Sequence, residues 1–210
     1  MRVFFSAEST ANIPLMQATQ ELSIELIAHP LIAFNALQNT PRKPYEVIFF
    51  SSPRSYTYGK ALIRPEVLVA CYSHGTAKHL SRVDWQGNTP GNPARTAQEF
   101  NAWVGQKSVL FPVSDRSLGS VSKVFPEAQK EVVTVYETLL LPTKVPLCSI
   151  YIFTSPSNAE AFLQVNDFPK DARAIAWGDS TRSFLESKGI IPAYTRKEEQ
   201  NPDWTTLLTP

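Results

Sequence analysis

The feature that most constrains the fold is a duplication, because the first half of the chain recurs in the second. The stretches "VIFFSSPRSYTYGKAL" (47–62) and "IYIFTSPSNAEAFL" (150–163) each run from apolar residues into a hydroxyl-rich corner followed by proline, and they align Phe50 with Phe153. The other apolar runs recur in the same order and align three further pairs: Val3 with Val109, Ile24 with Val132, and Thr76 with Thr181. Since solenoid repeats are only ~20–50 residues long, this period indicates two duplicated domain-sized units.

Each recurring run is a short block rich in Val, Ile and Phe, which is typical of a strand buried on both faces of a parallel sheet. Helix-like segments follow most of them, at residues 11–22, 97–104, 158–163 and 181–188. Alternating strands and helices favour parallel sheets with crossover helices. The sequence therefore predicts an α/β protein made of two similar small domains.

Composition excludes several classes of protein. Lys and Arg number 20 against 19 Asp and Glu, so the basic excess of a nucleic-acid-binding protein is missing. No apolar run approaches the ~18 residues of a membrane span. Cys71 and Cys148 both lie in apolar runs, which predicts buried free thiols in a reducing cytoplasm.

The hydroxyl-rich corners fall where parallel α/β sheets bind ligands, at the carboxyl ends of the strands. A helix N-terminus presents unpaired N–H groups and a partial positive charge, and it accepts a carboxylate or phosphate. Helix capping alone is the alternative explanation, because Ser52 and Ser155 are each followed by proline, as N-caps often are. Four such corners at repeat-related positions favour a ligand-binding role.

Common catalytic signatures are missing from the sequence. There is no G-x-G-x-x-G, Walker loop or G-x-S-x-G elbow. Cys71 and His74 have C-x-x-H spacing without a second pair, so no metal site is predicted. "FFSAESTAN" (4–12) loosely resembles a flavodoxin phosphate loop, but Ile13-Pro14 follows where that loop has other residues, and FMN is not expected.

Taken in order, the motifs resemble those of the uroporphyrinogen-III synthase family, and the resemblance extends over nearly the whole chain. The matching segments are "HPLIAF" (29–34), "IFFSSPRS" (48–55), "YSHGTAKHL" (72–80), "SDRSL" (114–118), "VTVYET" (133–138), "IFTSPSNAEAF" (152–162) and "WGDSTRSFL" (177–185). Two positions depart from the family pattern: Ser6-Ala7-Glu8 ends the first strand where the family often has arginine, and Ser73 replaces a glycine.

The resemblance implies two flavodoxin-like parallel-sheet domains that face each other across a cleft and are joined by two crossover segments. One domain would comprise residues 1–34 and 141–210, and the other residues 35–140. The crossovers would be residues 29–37 and 135–142.

The resemblance also implies an activity: the cyclisation of hydroxymethylbilane, a linear tetrapyrrole with eight carboxylates, to uroporphyrinogen III. The last pyrrole ring is inverted, water is lost, and neither metal nor organic cofactor takes part. Tyr136 is the predicted proton donor to the leaving hydroxyl, although a tyrosine with its ring in the core and its hydroxyl in water would fit equally well. The predicted substrate-binding residues are Ser51, Ser52, Arg54, Ser55, His74, Gly75, Thr76, Arg116, Thr154, Ser155, Ser157, Asn158, Gly178, Ser180 and Thr181.

An alternative function uses the same corners without turnover. The protein would then be a two-domain binding module for a carboxylated or phosphorylated small molecule. In either case we expect a cytoplasmic monomer whose partner is a small molecule.

Overall fold

The apolar runs form the strands of two mainly parallel sheets. The structure is a computed structural model that describes residues 1–89, 91–196 and 202–209. In chain order the elements are β1 (Arg2–Phe5), α1 (Ile13–Glu21), β2 (Glu25–Ala28), β3 (Ile32–Ala36), β4 (Val47–Phe50), α2 (Pro53–Gly59), β5 (Leu68–Cys71), α3 (His74–Ala77), β6 (Trp85–Gln86), α4 (Pro93–Val104), β7 (Val109–Ser114), β8 (Lys130–Leu140), β9 (Ile150–Phe153), α5 (Pro156–Val165), β10 (Arg173–Ala176), α6 (Asp179–Ser187), β11 (Tyr194–Thr195) and α7 (Trp204–Leu208).

The chain divides into two compact units. Unit 1 comprises Met1–Ala33 and Leu139–Pro210, and unit 2 comprises Phe34–Thr138. The strand order is β11-β10-β9-β1-β2 in one sheet and β3-β8-β7-β4-β5-β6 in the other. The prediction of an α/β fold with parallel sheets is confirmed.

The duplication is visible in the strand register as well as in the strand order. Val3 of β1 pairs with Ile150 of β9, and Val109 of β7 pairs with Val47 of β4. The order β10-β9-β1-β2 in unit 1 therefore matches β5-β4-β7-β8 in unit 2. The two units therefore share this arrangement of neighbouring strands, but the strands occur in a different order along the chain.

One of the predicted alignments is displaced. Val3 pairs with Leu26 in β2, and the equivalent Val109 pairs with Lys130 in β8. Leu26 thus corresponds to Lys130, an offset of 104 residues, whereas aligning Ile24 with Val132 gives 108. The error arises because β8 is much longer than β2 and offers several apolar alignments.

The strands β3 and β8 carry the chain from one unit to the other. They are neighbours in the sheet, where the Leu37 amide donates a hydrogen bond to the Val135 carbonyl at 2.9 Å. The unit boundaries, after Ala33 and after Thr138, fall inside these two strands.

Each sheet is covered by apolar side chains on both faces, as expected for parallel sheets. In unit 1, Phe4 and Tyr151 pack on α5, whereas Phe5 packs with Trp177 on the other face.

Cys71 and Cys148 are buried free thiols, and burial raises the pKa of each to about 11. Among the described residues no helix is long and apolar enough to cross a membrane.

Candidate active site

The first corner of unit 2 follows β4 and begins α2. Ser52 is the N-cap residue and forms a capping box with Ser55: each backbone N–H donates to the other's hydroxyl, at 3.1 Å in both directions. The sequence Ser-Pro favours this start because the proline at the first helical position needs no hydrogen-bond acceptor. The capping interpretation is confirmed here, and Ser51 and Arg54 are the exposed predicted residues of this corner.

Arg54 belongs to a cluster of aromatic rings around Tyr136. Its guanidinium lies 3.6 Å from the ring centroid of Phe34, which in turn meets Tyr136 edge to face at a centroid distance of 5.9 Å. Tyr58 stacks on Tyr136 at a centroid distance of 4.9 Å. Packing against two rings fixes the Tyr136 ring, and the Arg54 cation is held one ring away from it.

Tyr136 itself is 7% exposed, with its ring in the core of unit 2. Among the described residues, Tyr136 is not one whose side chain has a buried polar atom without a hydrogen-bond partner. This is consistent with a hydroxyl oxygen that contacts solvent. Tyr136 pairs with Ser114, the last residue of β7, so it lies at the carboxyl edge of the sheet. The arrangement fits both interpretations of Tyr136, and its role as proton donor stays a prediction.

The second corner of unit 2 is the short helix α3. Ser73 is its N-cap residue but makes no side-chain capping bond. His74 and Gly75 are exposed, and a Cβ at Gly75 would meet only the Ser73 hydroxyl, at 3.6 Å. Thr76 is 2% exposed. Because β4 and β5 are parallel neighbours, both corners lie at the same edge of the sheet.

The first corner of unit 1 is a buried hydrogen-bond network. The Asn158 amide nitrogen donates to the hydroxyls of Thr154 and Ser155, at 3.0 Å each, and its oxygen accepts from the Leu31 N–H at 2.9 Å. Thr154 in turn donates from its N–H to the Ser6 hydroxyl at 2.8 Å. The side chains of Thr154, Ser155 and Asn158 thus hold the start of α5 to neighbouring segments. Ser157 is half-buried.

Ser6 takes part in this network at the end of β1, where the family often has arginine. Its hydroxyl binds the Thr154 N–H and its carbonyl accepts from the Thr154 hydroxyl at 3.0 Å. Two cations near the C-terminus, Arg196 and Lys197, are candidates to replace that arginine. The Arg196 guanidinium lies 4.7 Å from the Trp177 ring centroid in the same unit, and Lys197 lies outside the described residues.

The second corner of unit 1 follows β10. Gly178 precedes α6 in an extended conformation, and a Cβ there would meet nothing within 4 Å. Ser180 is exposed, whereas Thr181 is 2% exposed, like its repeat equivalent Thr76. Asp179 places a carboxylate in the first turn of α6, which already complements the helix dipole. Repeat-related corners therefore differ in their capacity to bind an anion.

A cavity of about 250 Å3 opens at the carboxyl edge of the unit 2 sheet. One part of its wall comes from β4, β7, the residue after β5 and the first residue of α4. The other part comes from the segment that begins at the last residue of β7, here called the serine loop (residues 114–122, "SDRSLGSVS"). The lining residues are Phe49, Ser51, Tyr72, Pro93, Phe111, Val113, Ser117, Leu118, Gly119, Ser120, Val121 and Ser122. Sequence reasoning assigned Ser51 to a site but missed this cavity, although the four serines of the loop were a visible signal.

The serine loop is attached next to Tyr136. The Asp115 N–H donates to the Tyr136 carbonyl at 3.1 Å, and the Asp115 carboxylate accepts from the Thr138 N–H at 3.0 Å. Arg116, predicted to bind substrate, follows in this loop and is exposed. In unit 2 the structure thus brings Ser51, Arg54 and Tyr136 together with Arg116 on one sheet edge.

The described residues contain no group of three or more His, Cys, Asp or Glu side chains that could hold a metal ion. The candidate site consists instead of hydroxyls, backbone amides, a tyrosine and arginines. Such groups bind carboxylates and position them, and none is a strong acid or base at neutral pH.

Comparison with solved structures shows the same fold in two bacterial proteins. The uroporphyrinogen-III synthetase of Helicobacter pylori 26695 matches with a TM-score of 0.66 and 23% identity, covering 99% of this chain and 98% of that one. A mutant uroporphyrinogen III synthase of the extremely thermophilic bacterium Thermus thermophilus matches with a TM-score of 0.60 and 13% identity, covering 99% and 96%.

None of the curated protein sequences matches the chain. A family model described as uroporphyrinogen-III synthase HemD, however, matches residues 14–205. That span covers the candidate corners of both units and the strand that carries Tyr136. The chain therefore belongs to the uroporphyrinogen-III synthase family.

Proposed function

We propose that this protein is a lyase that converts hydroxymethylbilane to uroporphyrinogen III, closing the macrocycle with inversion of the last pyrrole ring and loss of water. The observation that carries the proposal is the family match over residues 14–205. The candidate groups of both units support it, because hydroxyls, amides and arginines suit a substrate whose polar groups are carboxylates.

The reaction requires positioning more than strong acid or base chemistry. The hydroxyl of the substrate must leave, and the linear chain must be held so that the inverted ring closes in preference to the simple closure. Preorganised hydrogen-bond donors supply that kind of catalysis by fixing geometry and by stabilising charge as it develops.

Tyr136 is the proposed proton donor to the leaving hydroxyl. A phenol is neutral at pH 7 and can donate a hydrogen bond. The packing of Phe34 and Tyr58 against its ring supports this role, because a fixed ring aims its hydroxyl in one direction.

The predicted binding residues fall into two groups. Those that are exposed or half-buried and take no part in the caps and networks described above are proposed to contact substrate carboxylates: Ser51, Arg54, His74, Gly75, Arg116, Ser157, Gly178 and Ser180. The others are proposed to hold the binding turns in shape: Ser52, Ser55, Thr76, Thr154, Ser155, Asn158 and Thr181.

We also propose that the protein acts as a monomer in the cytoplasm. The two free thiols support the compartment, and the presence of both residue groups in one chain supports the monomer.

The decisive experiment is to mix the purified protein with hydroxymethylbilane and separate the oxidised products by chromatography. We expect uroporphyrinogen III to accumulate faster than uroporphyrinogen I (isomer I), which forms spontaneously by closure without ring inversion. Isomer I alone, at the rate seen without protein, would contradict the proposed activity and favour a binding protein.

A further inference from the structure

We propose that the cavity beneath the serine loop receives one pyrrole ring of the tetrapyrrole substrate. This proposal rests on the proposed function, and it adds a ring-binding pocket to a site otherwise made of carboxylate-binding groups. It is carried by the walls of the cavity, its rim and its size.

The walls of the cavity match a flat aromatic ring. Phe49 and Phe111 are 1% and 2% exposed and lie 5.6 Å apart between centroids, and Tyr72 closes the cavity beside them. Val113 and Val121 complete an apolar lining. Aromatic rings prefer such surroundings, where tilted and offset contacts are available.

The rim of the cavity matches the acid side chains that such a ring carries. Ser117 accepts a hydrogen bond from the Gly119 N–H, and the Ser122 hydroxyl donates to the Gly119 carbonyl, each at 3.3 Å. Within the described chain, the side-chain hydroxyls of Ser51 and Ser120 have no protein hydrogen-bond partner. They remain available to a carboxylate at the mouth of the cavity.

A cation lies beside the same loop. A Cβ at Gly119 would be 3.8 Å from Cε of Lys123, so the lysine side chain runs alongside this part of the loop. Gly119 has a φ of +63°, a conformation that favours glycine and lets the loop turn here. Lys123 forms no ion pair with a carboxylate in the ranges that the structure describes. A carboxylate of the substrate would supply the missing partner for the Lys123 ammonium group.

The size of the cavity limits what it can hold. A site that encloses a whole drug-sized ligand measures ~300–1,000 Å3, so about 250 Å3 suits one ring with its substituents. Leu118 lines the mouth and is 73% exposed, an apolar side chain that a bound ring would cover. The rest of the tetrapyrrole would remain outside the cavity.

The test uses porphobilinogen, a single pyrrole with one acetate and one propionate, as a probe of the cavity. Wild-type protein is expected to bind it with a dissociation constant of about 1 mM, as measured by NMR titration. Ser120→Trp, which fills the mouth of the cavity, should weaken that binding by at least about tenfold. Ser81→Trp is the matched control, because Ser81 is also exposed in unit 2 but does not line the cavity.

Two further measurements complete the test. Leu118→Ser removes an exposed apolar side chain and should weaken porphobilinogen binding severalfold without changing the urea midpoint. With hydroxymethylbilane as substrate, Ser120→Trp should raise KM and release more isomer I, whereas Ser81→Trp should match the wild type.

The outcomes separate the two proposals. If the wild type forms uroporphyrinogen III and Ser120→Trp changes neither KM nor porphobilinogen binding, the pocket proposal is overturned and the proposed function stands. If the wild type forms no uroporphyrinogen III but binds porphobilinogen in a Ser120-dependent manner, the cavity is a monopyrrole site and the proposed function fails. Absence of porphobilinogen binding by the wild type also overturns the pocket.

Discussion

Tyr136 is the residue on which the proposed chemistry depends most directly. Tyr136→Phe should lower the rate of uroporphyrinogen III formation by ~10²-fold, the lower end for general acid catalysis, because water can substitute as a donor. The ring contacts with Phe34 and Tyr58 are preserved in this variant, so KM and the urea midpoint should stay close to wild type.

Tyr58→Phe is the control for that measurement. It removes a hydroxyl from the adjacent ring, whose hydrogen bond to the Phe34 carbonyl is long at 3.5 Å, and leaves the stacking intact. Its rate should equal that of the wild type. A Tyr136→Phe enzyme as fast as Tyr58→Phe would show that Tyr136 is only a packing residue.

Asn158 connects the start of α5 to the segment at Leu31. Asn158→Ala would leave the Leu31 N–H buried without an acceptor and would remove one hydrogen bond from each of the hydroxyls of Thr154 and Ser155. We expect the free energy of unfolding to fall by about 2 kcal/mol, measured by urea denaturation.

The helices α2 and α5 show how repeat-related elements can share a start and differ in what it does. Both begin with a serine cap and proline, but the third helical residue is Ser55 in one and Asn158 in the other. Among the described residues, the Ser55 side chain bonds within its own corner, to Ser52, whereas Asn158 reaches the segment at Leu31, which precedes β3.

Ser55→Ala is therefore the natural comparison for Asn158→Ala. It should cost about 1 kcal/mol of unfolding free energy, since only the capping box of α2 is lost. Equal losses in the two variants would contradict the bridging role of Asn158.

The strands and helices were the most predictable elements, because apolar runs and capping signals are local. The start of α4 at Pro93, four residues before the predicted start, was also encoded locally, since the Asn92 side chain accepts from the Arg95 N–H at 3.0 Å. The two-residue strands β6 and β11 were not predicted, because they exist only through pairing with β5 and β10.

The candidate site was predictable only in part. Ser51 could be placed at a strand end and Tyr136 in a strand from the motif order, but the cavity depends on Phe49, Phe111 and the serine loop meeting in space. Likewise, nothing local indicates that Thr76 and Thr181 turn into their units while the neighbouring corner residues remain exposed. Burial of this kind is set by tertiary packing, and a hydroxyl-rich corner looks the same in sequence whichever way its side chains point.

For the molecule as a whole, the sequence halves and the compact units are different divisions of the chain. Unit 2 is continuous and has apolar clusters on both faces of its sheet, as an independently folding domain does. A fragment of residues 32–140, which keeps β3 and β8 whole, should fold alone. Cooperative urea unfolding by circular dichroism and dispersed NMR amide signals would demonstrate this, whereas a broad, non-cooperative transition would contradict it.

The discontinuity of unit 1 sets an order of events during synthesis. β1 must wait for its neighbour β9, and the ribosome adds more than a hundred residues between Phe5 and Ile150. At ~5–20 residues per second that interval lasts about 7–30 s, long enough for unit 2 to form first. Throughout it the nascent chain carries Val3, Phe4 and Phe5 without their neighbours in β9, so this N-terminal segment is where chaperones that bind apolar peptides would act.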